Sequence, residues 1–211
     1  MPLRLEIEPH ERPPPRRKIA QAAALLHTGG VAAYPTDTVY ALGCAIESKK
    51  GAERIYRAKQ MSDKQRLAVI CPDLTSASMY AHFNDAAFRL ARRIFPGPYT
   101  LVLPATREVP RLLLEKKRRQ VGIRIPDHPI VHALVEELGR PMLTTSAIAP
   151  GAEVALSDAD DVLEAFGRHV DVIIDGGPTS EDVSTVLEVA DDGEVIVIRE
   201  GLGPIEGILE S

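Results

Sequence analysis

The chain has 211 residues, 45 % of them hydrophobic but only 4 % aromatic, so it can bury a large core built mainly from Val, Ile, Leu and Ala. No apolar run reaches the roughly 18 residues of a membrane span; with no signal-peptide core behind Met1, a soluble cytoplasmic protein is expected. The net charge of −5 hides an asymmetry: residues 89–124 hold ten Lys or Arg against two Glu, leaving a local excess of +8 and −13 for the rest.

Taken in order, the chain divides into an N-terminal arm over 1–16, one domain over 17–205 and a Gly-rich tail over 206–211. Leu3, Leu5 and Ile7 alternate as in an edge strand, and Pro13-Pro14-Pro15 is a stiff connector. Ile19, Ala22, Ala23 and Leu26 lie on one face of a helix over 17–27, ended by Thr28-Gly29-Gly30. Residues 29–44 form the most informative stretch. A buried strand over 31–34 meets Pro35, then Thr36, Asp37 and Thr38, and an apolar run over 39–44 returns the chain to the core. Polar groups just past a strand end suit ligand binding, although a plain polar turn fits the same spacing.

Ser48 caps a helix over 48–59, with Ala52, Ile55 and Tyr56 at helical spacing. Arg57, Lys59, Lys64 and Arg66 then surround a loop that reads either as a phosphate-binding end or as a solvated basic surface. A strand over 67–71 follows, then helices over 75–80 and 84–95, the second with Phe88, Ala91 and Phe95 inward. Pro96-Gly97-Pro98 breaks that helix before a strand over 99–103. A helical turn over 110–114 leads to the charge run Glu115-Lys116-Lys117-Arg118-Arg119. In the strand over 121–126, Arg124 must point opposite to Ile123 and Ile125, and a face without solvent there requires an anion. A helix over 129–138 closed by Gly139, a strand over 142–146 and a helix capped by Ser157 and running to Phe166 come next. A buried strand over 170–174 precedes a hairpin of strands over 184–189 and 195–199 around Asp191-Asp192-Gly193. Hairpins mixed with helix-separated strands predict an α/β fold with a twisted mixed sheet flanked by helices.

Walker-type, dinucleotide-binding and nucleophile-elbow motifs are absent, as is Cys/His metal spacing, so no catalytic residue and no metal ligand is assigned. Cys44 and Cys71 sit in apolar surroundings and read as small buried hydrophobes. The histidines are scattered, His128 between Asp127 and Pro129 being the least ordinary. What remains is a set of hydroxyls at strand ends, Thr36, Thr38, Thr100, Ser146, Ser184 and Thr185, with isolated cations Lys59, Arg124 and Arg199. Such a set suits binding and orienting a phosphorylated or carboxylated ligand, with catalysis by proximity and charge stabilisation.

The chain resembles the YrdC/YciO family of threonylcarbamoyl-AMP synthases. The resemblance is carried by Tyr34-Pro35-Thr36-Asp37-Thr38-Val39-Tyr40-Ala41-Leu42-Gly43, Ala58-Lys59, Pro96-Gly97-Pro98-Tyr99-Thr100 and Arg124-Ile125-Pro126-Asp127-His128-Pro129. Thr145-Ser146-Ala147, Ser184-Thr185-Val186 and Arg199-Glu200-Gly201 complete it. It implies a single three-layer domain with a concave basic face, and formation of threonylcarbamoyl-AMP from threonine, bicarbonate and ATP with Mg2+, in the service of tRNA modification. By position it implies Lys59, Thr100, Ser146 and Arg199 at the nucleotide, and Thr36, Arg124 and Ser184 at the threonine end. Lys116, Lys117, Arg118 and Arg119 are the expected contacts to tRNA or double-stranded RNA, although a run of this kind also reads as a solvated loop. The chain departs from the synthase pattern at Met61, where synthases carry Arg, and at Ile148, where they carry Asn, and in this it is similar to the YciO branch. Binding of RNA without synthase activity, or action on already modified tRNA, is the alternative expectation.

Overall fold

The computed structural model describes residues 1–61, 66–114, 119–190 and 192–208. Among these residues ten strands form one mixed sheet: β1 (Leu3–Glu6), β2 (Ala32–Tyr34), β3 (Ala41–Ala45), β4 (Ala68–Ile70), β5 (Tyr99–Pro104), β6 (Gln120–Arg124), β7 (Met142–Ser146), β8 (Val172–Asp175), β9 (Thr185–Val189) and β10 (Val195–Arg199). Their order across the sheet is β1-β8-β2-β3-β7-β4-β6-β5-β9-β10. The two hairpins expected from the sequence, β2/β3 and β9/β10, are antiparallel. The β1/β8, β2/β8, β4/β6 and β5/β9 pairs are parallel, so the sheet is mixed as expected.

Among the described residues, six helices cover the sheet unequally: α1 (Arg16–His27), α2 (Lys49–Ala58), α3 (Leu74–Tyr80), α4 (Asp85–Ile94), α5 (Pro129–Leu138) and α6 (Ala159–Phe166). Helices α2, α3, α4 and α6 bury Ile55, Ala77, Leu90 and Phe166 with Leu101, Leu103, Ile123 and Leu187 of the sheet. On the opposite face α1 and α5 pack against each other and join Tyr34, Ala41, Met142 and Ile174 in a separate core. That second layer covers the β1 half of the sheet and reaches no further than Ile70 of β4. In the other half the side chains alternating with the core set, Thr100, Val102, Gly122 and Val186, instead line an open cavity.

Two local expectations are corrected. In α4 the buried stripe is Ala87, Leu90, Ala91 and Ile94, and Phe88 is 43 % exposed rather than inward. Asn84 accepts the backbone N–H of Ala87 as the cap, which fixes a helix phase whose i, i+3, i+4, i+7 stripe omits Phe88. In α6 the cap is Asp158, accepting from the N–H of Asp160, and Ser157 lies one residue outside. Gly139 closes α5 at φ 69°, the left-handed conformation in which glycine has no Cβ penalty. Cys44 and Cys71 are buried free thiols, and burial pushes both up to about 12.

Candidate functional site

The cavity encloses about 310 Å3, near the lower end of the roughly 300–1,000 Å3 typical of small-molecule sites. Strand ends supply its polar wall. Arg124 ends β6, Thr144, Thr145 and Ser146 end β7, Ser184 precedes β9 and Arg199 ends β10. Thr100 of β5 and Arg66, ahead of β4, complete that wall.

Arg124 is 3 % exposed, and the anion its buried face demands comes from the chain itself. Its Nη2 donates to Asp37 Oδ1 at 3.1 Å and to Thr38 Oγ1 at 3.2 Å, while Nε has no partner among the described residues. Asp37 also accepts the backbone N–H of Asp127 through Oδ2. Burial raises the Asp37 carboxyl above its ordinary range and lowers Arg124, each group opposing the other's shift. Thr36, expected at the threonine end, is inside the same loop: its hydroxyl donates to Val39 O at 2.7 Å and accepts the N–H of Thr38. It closes the loop that carries Asp37.

Across the cavity, Ser184 joins three elements. Its hydroxyl lies 2.9 Å from Thr100 Oγ1, and Arg199 donates through Nη2 to the Ser184 carbonyl at 2.8 Å. Lys59, the residue capping the C-terminus of α2, donates through Nζ to Ser146 O at 2.6 Å and Thr145 Oγ1 at 3.0 Å. Burial, then the charge of Arg199, pulls Lys59 down to about 8. Burial and the charge of Arg124 lower Arg199 in turn. Among the described residues no carboxylate pairs with Lys59 or Arg199. The structure thus brings Thr100, Arg124, Ser146, Ser184 and Arg199 around one cavity, sets Lys59 in an adjoining hollow with its ammonium bonded to Ser146, and leaves Thr36 behind the wall.

Of the charge run, Lys116, Lys117 and Arg118 lie outside the described residues, and Arg119 is exposed just before β6. Both departures from the synthase pattern flank Lys59. Met61 packs, partly buried, against the apolar core. Ile148 lines an adjoining hollow with Lys59, Gln60 and Glu153. Among the described residues no group of three or more His, Cys, Asp or Glu is placed to hold a metal ion.

Sequence reading assigned no role to Gln120, nor to Thr144 and Thr145 beside Ser146. The period-2 alternation through Gln120, Gly122 and Arg124 carried the signal for Gln120; the two threonines could not be separated from a core strand without knowing which helices cover it.

A family model described as "Telomere recombination", of the Sua5, YciO and YrdC proteins, matches residues 24–201. YciO of Escherichia coli strain K12 is 44 % identical over 200 residues, covering 95 % of this chain and 97 % of that protein. Its crystal structure matches with a TM-score of 0.92 over 98 % of both chains at 42 % identity. A threonylcarbamoyl-AMP synthase of Bacillus subtilis is 35 % identical over 88 % of this chain and 54 % of its own length. The crystal structure of P. abyssi Sua5 complexed with L-threonine matches with a TM-score of 0.90 at 31 % identity, over 99 % of this chain and 60 % of that one. This chain therefore spans little more than half of those two longer relatives.

Proposed function

The chain belongs to the Sua5/YciO/YrdC family, and on that premise we propose that its cavity binds a threonylcarbamoyl-adenosine moiety, as a nucleotide or within RNA. One observation carries the reading. Burial, and after it the charge of Arg199 on Lys59 and of Arg124 on Arg199, lowers both groups, and of these three cations only Arg124 has a carboxylate among the described residues. A phosphate or carboxylate would relieve that repulsion. Hydroxyls of Thr100, Ser146 and Ser184 would orient it, and the same cations would stabilise charge developing on an adenylate.

Synthesis from threonine, bicarbonate and ATP is the reaction this site would support, weakened at the polyphosphate end. Met61 places a thioether where synthases carry a guanidinium, and Ile148 offers no hydrogen bond. Loss of one such contact costs on the order of a hundredfold in rate. These two residues equally favour a second reading, action on RNA that already carries the modification, which needs no triphosphate. Incubation with threonine, bicarbonate and Mg-ATP beside a synthase control separates the two. Pyrophosphate release that requires both threonine and bicarbonate supports synthesis. No release, with AMP and tRNA binding intact, leaves the RNA-directed reading standing.

A further inference from the structure

The cavity is graded from one end to the other. Strand β6 runs from Gln120 to Arg124, about 13 Å at the rise of an extended chain. Thr100, Val186 and Arg199 are in register near the cationic end. One same-face step away, Gly122 pairs with Val102 and Val102 with Glu188. The floor between these strands, Gly122 with Val102 and Ala68 of β4, is apolar, flanked by Thr144 in register with Ala68 and by Glu188 in register with Val102. A Cβ on Gly122 would meet Thr100 Cγ2 at 3.0 Å and Ala68 Cβ at 3.4 Å, so its absence keeps the floor flat. Beyond it stands Gln120, whose Nε2 donates to Glu188 Oε1 at 2.6 Å.

That bond fixes chemistry as well as position. A carboxylate only accepts, so the amide must turn its NH2 toward Glu188, and its carbonyl oxygen is the acceptor it can offer the cavity. An anionic group held by the cations, a planar ring over the apolar floor and a donor meeting Gln120 describe a nucleotide with an amino-bearing base.

We propose that Gln120 determines base specificity, accepting a hydrogen bond from the exocyclic amine of the bound base, and that Glu188 is the positioning residue that locks its amide. The proposal rests on the nucleotide reading above and adds to it which side chain discriminates among bases. IMP, which puts a carbonyl where AMP has the amine, would set acceptor against acceptor.

Calorimetric titration of the full chain with AMP and with IMP at one ionic strength tests this. AMP is expected to bind about tenfold more tightly, the scale of one mispaired polar contact. In Glu188→Gln the amide at 120 is free to turn over, since either orientation finds a partner. The preference should then fall to about two- or threefold, with IMP binding more tightly than to the wild-type chain. A purely structural role for Glu188 would not improve IMP binding. Gln120→Leu should abolish the preference at an unchanged thermal midpoint. Equal wild-type affinities for AMP and IMP would overturn this proposal and leave the nucleotide reading intact. Binding of neither would overturn both, and an unchanged preference in Glu188→Gln would remove Glu188 from the account.

Discussion

Arg124 and Asp37 form a pair whose side chains are only 4 % and 8 % exposed. Removing one partner from such a pair leaves a buried charge uncompensated. Arg124→Ala should therefore cost about 3–5 kcal/mol of folding stability as well as ligand binding, measured by denaturant titration. Replacing both partners, Asp37→Asn with Arg124→Met, should recover most of the stability and none of the anion binding. Recovery of both would mean that Arg124 only balances Asp37. Lys59 gives a second test at this scale. With its ammonium pulled down to about 8, it is charged at pH 7 and largely neutral at pH 9, so affinity for a phosphate ligand should fall across that interval. Stability should move the other way: between pH 8 and the unperturbed lysine value the unfolded chain binds more protons, so folding is favoured as pH rises. A Lys59→Met variant should lose both trends. Of these features, the outward turn of Arg124 was legible from Ile123 and Ile125 beside it. Its partner was not, because 87 positions separate the two residues and no local pattern links them.

At the scale of elements, periodic patterns gave α1, α2 and α5 almost to the residue, whereas α4 was misphased because Phe88, the bulkiest apolar side chain inside it, was assigned to the core. Cap geometry decided that case and the start of α6. The same reasoning makes α5 improvable. Its N-cap residue His128 makes no side-chain cap bond, and its Nδ1 is buried without a partner among the described residues. Burial, with the neighbouring charges of Arg12 and His132 and against that of Asp127, pulls His128 down to about 4. Below its unperturbed value the unfolded chain takes a proton that the folded chain refuses, so stability is lost as pH falls toward 4. His128→Asn supplies a preferred cap without a titrating group. It should stabilise the protein by about 1 kcal/mol at pH 7.5 and by more at pH 5, read from denaturation midpoints. An equal gain at both pH values would show that His128 does not contribute to the acid sensitivity.

Across the whole molecule, strand existence and the two hairpins could be read from the sequence, but the order could not. Strand β7 stands between β3 and β4, and β9 lies beside β5, pairings set by which faces the helices cover rather than by nearness along the chain. That order also divides the basic segment. Arg124 faces the cavity, while α4 packs on the other side of the sheet and exposes Arg89 and Arg92 there. The concentration of charge seen along the chain is therefore not a single surface, and one RNA strand lying in the cavity cannot also cover α4. If RNA enters through the cavity, the phosphates it engages are those reached by Lys59, Arg124 and Arg199. At about 0.7 per phosphate for a single strand, the logarithm of affinity should fall with the logarithm of salt at a slope near −2. Arg89→Ser with Arg92→Ser should leave that slope unchanged. A steeper slope that shallows in the double variant would place the RNA on α4 instead, and would separate RNA binding from the nucleotide cavity altogether.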